Sequence, residues 1–190
     1  MIEPALDEKI VLIARALEEA DIPHAFGGAL ALAYYAEPRS TIDVDINIFA
    51  SPELADRTFD TLQALGAAVD PAVHPAAAHR EGQVRVTWGR SPLDLFFAYD
   101  AFHDACRDAV RRVPFGDTTI PILGPEHLVV FKAVFDRRKD WLDIEQVLFL
   151  NAGDVDRSEI TAWMTRIVGP ADQRAARLVR LMDATLGAAG

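Results

Sequence analysis

Two aspartates, Asp43 and Asp45, stand one residue apart in a stretch where apolar and polar residues alternate from Thr41 to Phe49. Ile42, Val44, Ile46 and Ile48 fall on one face of such a strand, and Thr41, Asp43, Asp45 and Asn47 on the other. Both carboxylates then point the same way, roughly 6–7 Å apart at a rise of ~3.3 Å per residue. Their oxygens can converge on hard divalent cations, and magnesium suits them. A third carboxylate, Asp94, stands alone in the apolar run Leu93-Asp94-Leu95-Phe96-Phe97. A charge embedded there calls for a counter-cation, a hydrogen-bonding partner or a wet edge, because burying it unpaired is costly. If the three carboxylates meet on adjacent strands, Asp94 serves as general base and second-metal ligand. Two ions about 3.5–4 Å apart would then serve in-line phosphoryl displacement. The alternative for Asp94 is a strand-end carboxylate facing water or paired with an arginine such as Arg85.

Upstream, Gly27-Gly28 lies between a short apolar segment, His24-Ala25-Phe26, and a run of helix formers, Ala29 to Tyr35. Glycines let backbone N–H groups approach phosphate oxygens, and a helix opening just after them aims its unpaired amides at the same anion. A strand, a glycine turn, a helix, then a strand with paired carboxylates make a triphosphate site with its metals.

The elements that must position these residues follow from pattern. Leu6, Ile10, Ile13, Ala14 and Leu17 have helical spacing over 5–20, and Asp21-Ile22-Pro23 ends that helix. Glu37-Pro38 stops the second helix. Ser51-Pro52-Glu53 reads as an N-cap with proline in the first turn of a helix running to about Leu65. Strands are expected near 67–70, at Gln83–Trp88 and at Leu93–Phe97, with a helix from Asp100 to about Arg111. A hairpin pairs Arg112–Phe115 with Thr118–Leu123 across Gly116-Asp117. Helices follow at roughly 125–136, 139–150, 157–168 and 171–186, where Trp141, Ile144, Val147 and Leu148 form a core stripe. The pattern is α+β: a small mixed-sheet catalytic half, 1–124, then a C-terminal helical bundle, 125–190.

The 190 residues are 51% hydrophobic and 25% charged, the balance of a folded globular chain rather than a disordered one. No apolar run reaches the ~20 residues of a membrane span and the first residues lack signal-peptide character, so a cytoplasmic location is expected. One cysteine, Cys106, excludes an internal disulfide, and five scattered histidines show no zinc-binding spacing. The net charge of −10 disfavours a polyanionic partner in bulk, yet the acidic excess lies before residue 131 and residues 131–190 are balanced. A local patch from Arg157, Arg166, Arg174, Arg177 and Arg180 is compatible with phosphate contact.

Gly-Gly, then Arg39-x-Thr41-x-Asp43-x-Asp45, then the later strand aspartate resembles the polymerase-β-like nucleotidyltransferases over about residues 22–98. The resemblance implies that Gly27 and Gly28 bind the phosphates of an NTP. It also implies that Asp43 and Asp45 bind magnesium, joined by Asp94, which activates the acceptor. Many members carry serine at the second glycine position, so Gly28 leaves that contact to the backbone. Thr41 belongs to the same motif, and Arg39 either orients the loop, touches substrate or lies on the surface.

Lys132-Ala-Val-Phe-Asp136-Arg137-Arg138-Lys139-Asp140-Trp141-Leu142-Asp143 resembles a stretch of the AbiEii and MenT branch, which comprises bacterial toxins and phage-defence proteins. That similarity implies that Lys132 reaches the nucleotide phosphates and that Arg137, Lys139 and Asp140 lie at the site edge. It further implies a tRNA 3′ end as acceptor and an antitoxin protein as partner. Taken alone, the same charges fit a solvated inter-helix turn. An antibiotic-modifying or protein-modifying nucleotidyltransferase is the competing expectation, since an acidic acceptor pocket suits a cationic drug.

Overall fold

The computed structural model describes residues 3–51 and 55–187. Their packing separates into two compact units. One takes in the chain up to Leu30 and Ser40–Leu123, the other Ala31–Arg39 and everything from Gly124 on.

In the first unit, α1 (Leu6–Glu19) buries Ile10, Ile13, Ala14 and Leu17, as its spacing requires. Glu8, in its first turn, accepts the N–H of Ala5 at 2.8 Å and so satisfies one of the amides at the helix start. A six-stranded mixed sheet follows. Its strands are β1 (His24–Phe26), β2 (Val44–Ile48), β3 (Gln83–Trp88), β4 (Ser91–Phe97), β5 (Arg111–Phe115) and β6 (Thr118–Ile122). They lie in the order β3-β4-β2-β1-β6-β5. β2 runs parallel to β4 and β1 parallel to β6, while the β1–β2, β3–β4 and β5–β6 pairs are antiparallel.

Val44, Ile46, Ile48, Leu93, Leu95 and Phe97 are all buried. α3 (Ala55–Ala64) packs on that side, with the Phe59 and Phe97 rings 5.8 Å apart. α5 (Ala101–Asp108) is capped by Asp100, whose carboxylate accepts the N–H groups of Phe102 and His103.

In the second unit, α6 (Pro125–Phe135), α7 (Arg138–Leu150), α8 (Arg157–Val168) and α9 (Gln173–Leu186) pack on one another. The stripe Trp141, Ile144, Val147 and Leu148 is buried. Among the described residues no helix is long and apolar enough to cross a membrane.

Several local expectations need correction. The segment near 67–70 is not a strand: it makes a single antiparallel bridge, Ala68 with Thr87. Beyond it, the Asp70 carboxylate accepts the Ala72 N–H at 2.9 Å and turns the chain away from the sheet. Pro75-Ala76-Ala77-Ala78 belongs to α4 (His74–Glu81), where alanine propensity and a first-turn proline make a helix without any apolar periodicity to announce it. α2 (Gly28–Leu32) opens on the second glycine rather than after it and gives way to turns through Tyr35. β2 starts only at Val44, because the Thr41 hydroxyl takes the Asp43 N–H at 3.1 Å and withdraws it from the ladder. Ile42, outside the strand, is accordingly exposed. The expected cap around Pro52-Glu53 falls outside the described residues.

Candidate active site

The first unit brings together the residues of the glycine turn and the strand carboxylates. The parallel pairing of β2 with β4 places Asp45 directly opposite Asp94. The β1–β2 pairing returns the chain so that Gly27 N–H donates to the Asp45 carbonyl oxygen at 2.9 Å. Gly28 sits at φ 54°, the left-handed region that favours glycine. A Cβ there would lie 1.7 Å from Asp45 Oδ2. At Gly27 it would lie 2.9 Å from Asn47 Nδ2. Gly28 is thus required by close approach and lies under the Asp45 carboxylate, while a side chain at Gly27 would have to displace the Asn47 amide.

Asp94 is 6% exposed, and it meets its need for a partner through Arg85. Arg85 Nε and a terminal nitrogen donate to Oδ1 and Oδ2 of Asp94 at 2.7 and 2.6 Å, a two-pronged pair across the β3–β4 hairpin. Asp94 drives the guanidinium pKa upward, first by these hydrogen bonds and then by its charge, with Asp43 and Asp45 adding to the effect. One guanidinium therefore lies within the field of all three carboxylates. Its side chain is 58% exposed, so solvent screens the pair and its net contribution is at most about 1 kcal/mol.

By type the donors suit a hard cation: carboxylate oxygens from two neighbouring strands, in a place that already holds a positive charge. They are not a closed cage, since among the described residues no three His, Cys, Asp or Glu side chains converge to hold a metal ion. The residues fit magnesium once Asp94 turns an oxygen away from Arg85.

The second unit gathers the other candidates. Lys132 is 4% exposed and donates to Asp143 Oδ2 at 2.6 Å, with Asp140 Oδ1 3.8 Å away. Arg137 makes a two-pronged pair with the fully buried Asp140 at 2.6 and 3.2 Å. Arg39 lies 3.5 Å from Asp143. Lys132, Asp140 and Asp143 thus form an ion cluster with Arg137 and Arg39, while residues 136–139 at the junction of the two helices are exposed. Asp143 was assigned no role from sequence, although its i,i+3 spacing from Asp140 puts both on one helix face. Arg85 was assigned none beyond that of a possible partner. Its pairing is legible in the hairpin itself: a two-residue turn at Gly89-Arg90 fixes the register that sets Arg85 against Asp94.

The arginines expected to form a tail patch are largely engaged by carboxylates. Arg157 pairs with Asp183, and Arg174 holds Asp172 at 2.9 Å. Arg177 stacks over Trp141 at 4.0 Å and lies 3.9 Å from Asp136.

No family model matches this chain, and no curated protein matches it in sequence. Solved structures do match in shape. ANT(2″)-Ia in complex with adenylyl-2″-tobramycin aligns at TM-score 0.63 and 14% identity, covering 84% of this chain and 97% of that one. A solution structure of the same antibiotic-resistance factor aligns at 0.60 and 13%, covering 85% and 92%. The lincosamide antibiotic adenylyltransferase LnuA, bound to lincomycin, aligns at 0.54 and 15%, covering 74% and 94%. The chain therefore has the nucleotidyltransferase fold, a mixed sheet followed by helices.

Proposed function

We propose that this chain is a magnesium-dependent nucleotidyltransferase that moves the NMP group of an NTP onto a hydroxyl of an acceptor. The observation that carries this reading is the register of β2 and β4, which sets Asp45 opposite Asp94 with Gly28 lying under the Asp45 carboxylate. Asp43 and Asp45, with Asp94, would hold the metal, which supplies charge neutralisation along the triphosphate and lowers the pKa of the attacking hydroxyl. The backbone at Gly27 and Gly28 approaches the phosphates at a distance no side chain would allow. Asp94 takes the proton of the acceptor hydroxyl as the new O–P bond forms at the α-phosphorus. The bond to the β-phosphate oxygen breaks, and pyrophosphate leaves.

For the acceptor, the 3′ end of tRNA, in a toxin restrained by an antitoxin protein, is supported by the stretch that resembles the AbiEii and MenT branch. Lys132, Arg137, Asp140 and Asp143 are gathered into one ion cluster with Arg39, as a functional motif requires and a solvated turn does not. In this reading Lys132 neutralises phosphate charge and Lys139 borders the site. A second reading, a small cationic acceptor such as an aminoglycoside, is favoured by the net charge of −10 and by the tail arginines already paired with carboxylates. The antibiotic-modifying structural neighbours point the same way.

The experiment is incubation with each of four α-phosphate-labelled NTPs, magnesium, and either total tRNA or a panel of aminoglycosides and lincosamides. Label on tRNA supports the first acceptor and label on a drug the second. The absence of transfer to either that depends on Asp45 and Asp94 removes the proposal.

A further inference from the structure

Arg85 lies outside the glycine turn and the strand motif of Asp43 and Asp45, yet its guanidinium contacts both oxygens of the carboxylate assigned to metal and acceptor. Two nitrogens hold Asp94 at 2.7 and 2.6 Å, which occupies one acceptor site on each oxygen and sets a positive charge where a divalent cation would approach. The strand alternation makes this contact unavoidable. In β3, Gln83, Arg85 and Thr87 face out while Val84, Val86 and Trp88 are buried. The hairpin register then puts Arg85 on the same face as Asp94, and the parallel β2–β4 register puts Asp45 there too. The hairpin is anchored besides: the buried Lys9 donates to the Trp88 carbonyl at 2.7 Å and to Ser91 Oγ at 3.1 Å, at the two ends of its turn. Arg85 cannot leave by strand slippage, and only its side chain can swing.

We propose that Arg85 is a tethered counter-ion for Asp94, a positioning residue that competes with the divalent cation and must release Asp94 before the metal-bound site closes. The proposal rests on the nucleotidyltransferase reading above. Two features make Arg85 suited to the task. Its side chain is 58% exposed while that of Asp94 is 9% exposed, so the arginine can move into solvent at little cost and the aspartate cannot. Bidentate geometry makes the pair directional, and lysine, a point charge, would hold Asp94 less well.

The test is Mn2+ titration by calorimetry on the full chain, with thermal unfolding alongside, for wild type, R85Q, R85K, D45N, D94N and the double variant R85Q/D94N. R85Q is expected to bind Mn2+ about fivefold tighter than wild type, the size of one solvent-screened ion pair removed from competition. R85K is expected to fall between. In the D94N background, R85Q is expected to change Mn2+ affinity no further, which a merely structural role would not produce. Equal or weaker Mn2+ binding by R85Q, or tightening that persists in D94N, overturns the proposal while leaving the function standing. Absence of Mn2+ binding by wild type that D45N would diminish overturns the metal site itself, and this inference with it.

Discussion

Two clusters of charge, one on the sheet and one among the C-terminal helices, use the same residue types to opposite ends. On the sheet, the Arg85 guanidinium answers to Asp94 directly and to Asp43 and Asp45 through space, and its side chain is largely exposed. Among the helices, Lys132, Arg137 and Arg39 share two carboxylates, Asp140 and Asp143, and both Lys132 and Asp140 are buried. In the first cluster the cation is largely open to solvent. In the second, the buried Lys132 is joined by Arg137 and Arg39, which are partly exposed. Buried pairs are costly to break because the remaining partner is stranded, whereas a screened pair is cheap to exchange.

The contrast makes a direct prediction for stability. Lys132→Met removes the buried cation from Asp143, with Arg39 and Arg137 still beside Asp143 and Asp140, and should cost about 3 kcal/mol in urea unfolding. Arg85→Gln should cost less than about 1 kcal/mol. Similar losses from the two variants would break the comparison.

Gly28→Ala comes next, since its Cβ would collide with the Asp45 carboxylate and Gly28 sits at positive φ. A destabilisation of about 1–2 kcal/mol is expected, together with weaker Mn2+ binding, because Asp45 must move aside. Unchanged metal affinity in a folded Gly28→Ala variant would mean that the turn does not set the Asp45 position.

The smallest effect separates neither cluster but marks the sheet they depend on. Burial pushes the His24 imidazole below its ordinary range, and its Nδ1–H is committed to the Ile22 carbonyl at 2.9 Å. The folded protein then prefers neutral His24, so its contribution is full above the unfolded pKa near 6.5. It is lost as pH falls through the lower folded pKa, and it amounts to about 1.4 kcal/mol for every pH unit that separates the folded from the unfolded pKa. The melting temperature should therefore drop from pH 7.5 to pH 5, and His24→Gln should flatten that slope. His127, also lowered by burial, contributes in the same direction and should leave a residual slope.

Much of this was legible in the sequence, and what escaped has physical reasons. Alternation in Val44–Ile48 and the lone charge in Leu93–Phe97 located both strands, because one face of each is apolar. Adjacency of Asp45 and Asp94 was not readable, since the long connection from β2 to β4 gives no register for a parallel pair. The helix α4 was hidden because alanine carries propensity without periodicity. The partnership of Lys132 with Asp143 was hidden because it joins two helices whose faces only packing can align.

Transfer of label from α-phosphate-labelled NTP, with magnesium, to tRNA or drug acceptors by wild type and by Asp45→Asn is the decisive measurement. Wild type is expected to transfer label in a reaction that chelation abolishes, and the variant to lose about 100-fold or more. Transfer that persists in Asp45→Asn at the wild-type rate would contradict that expectation.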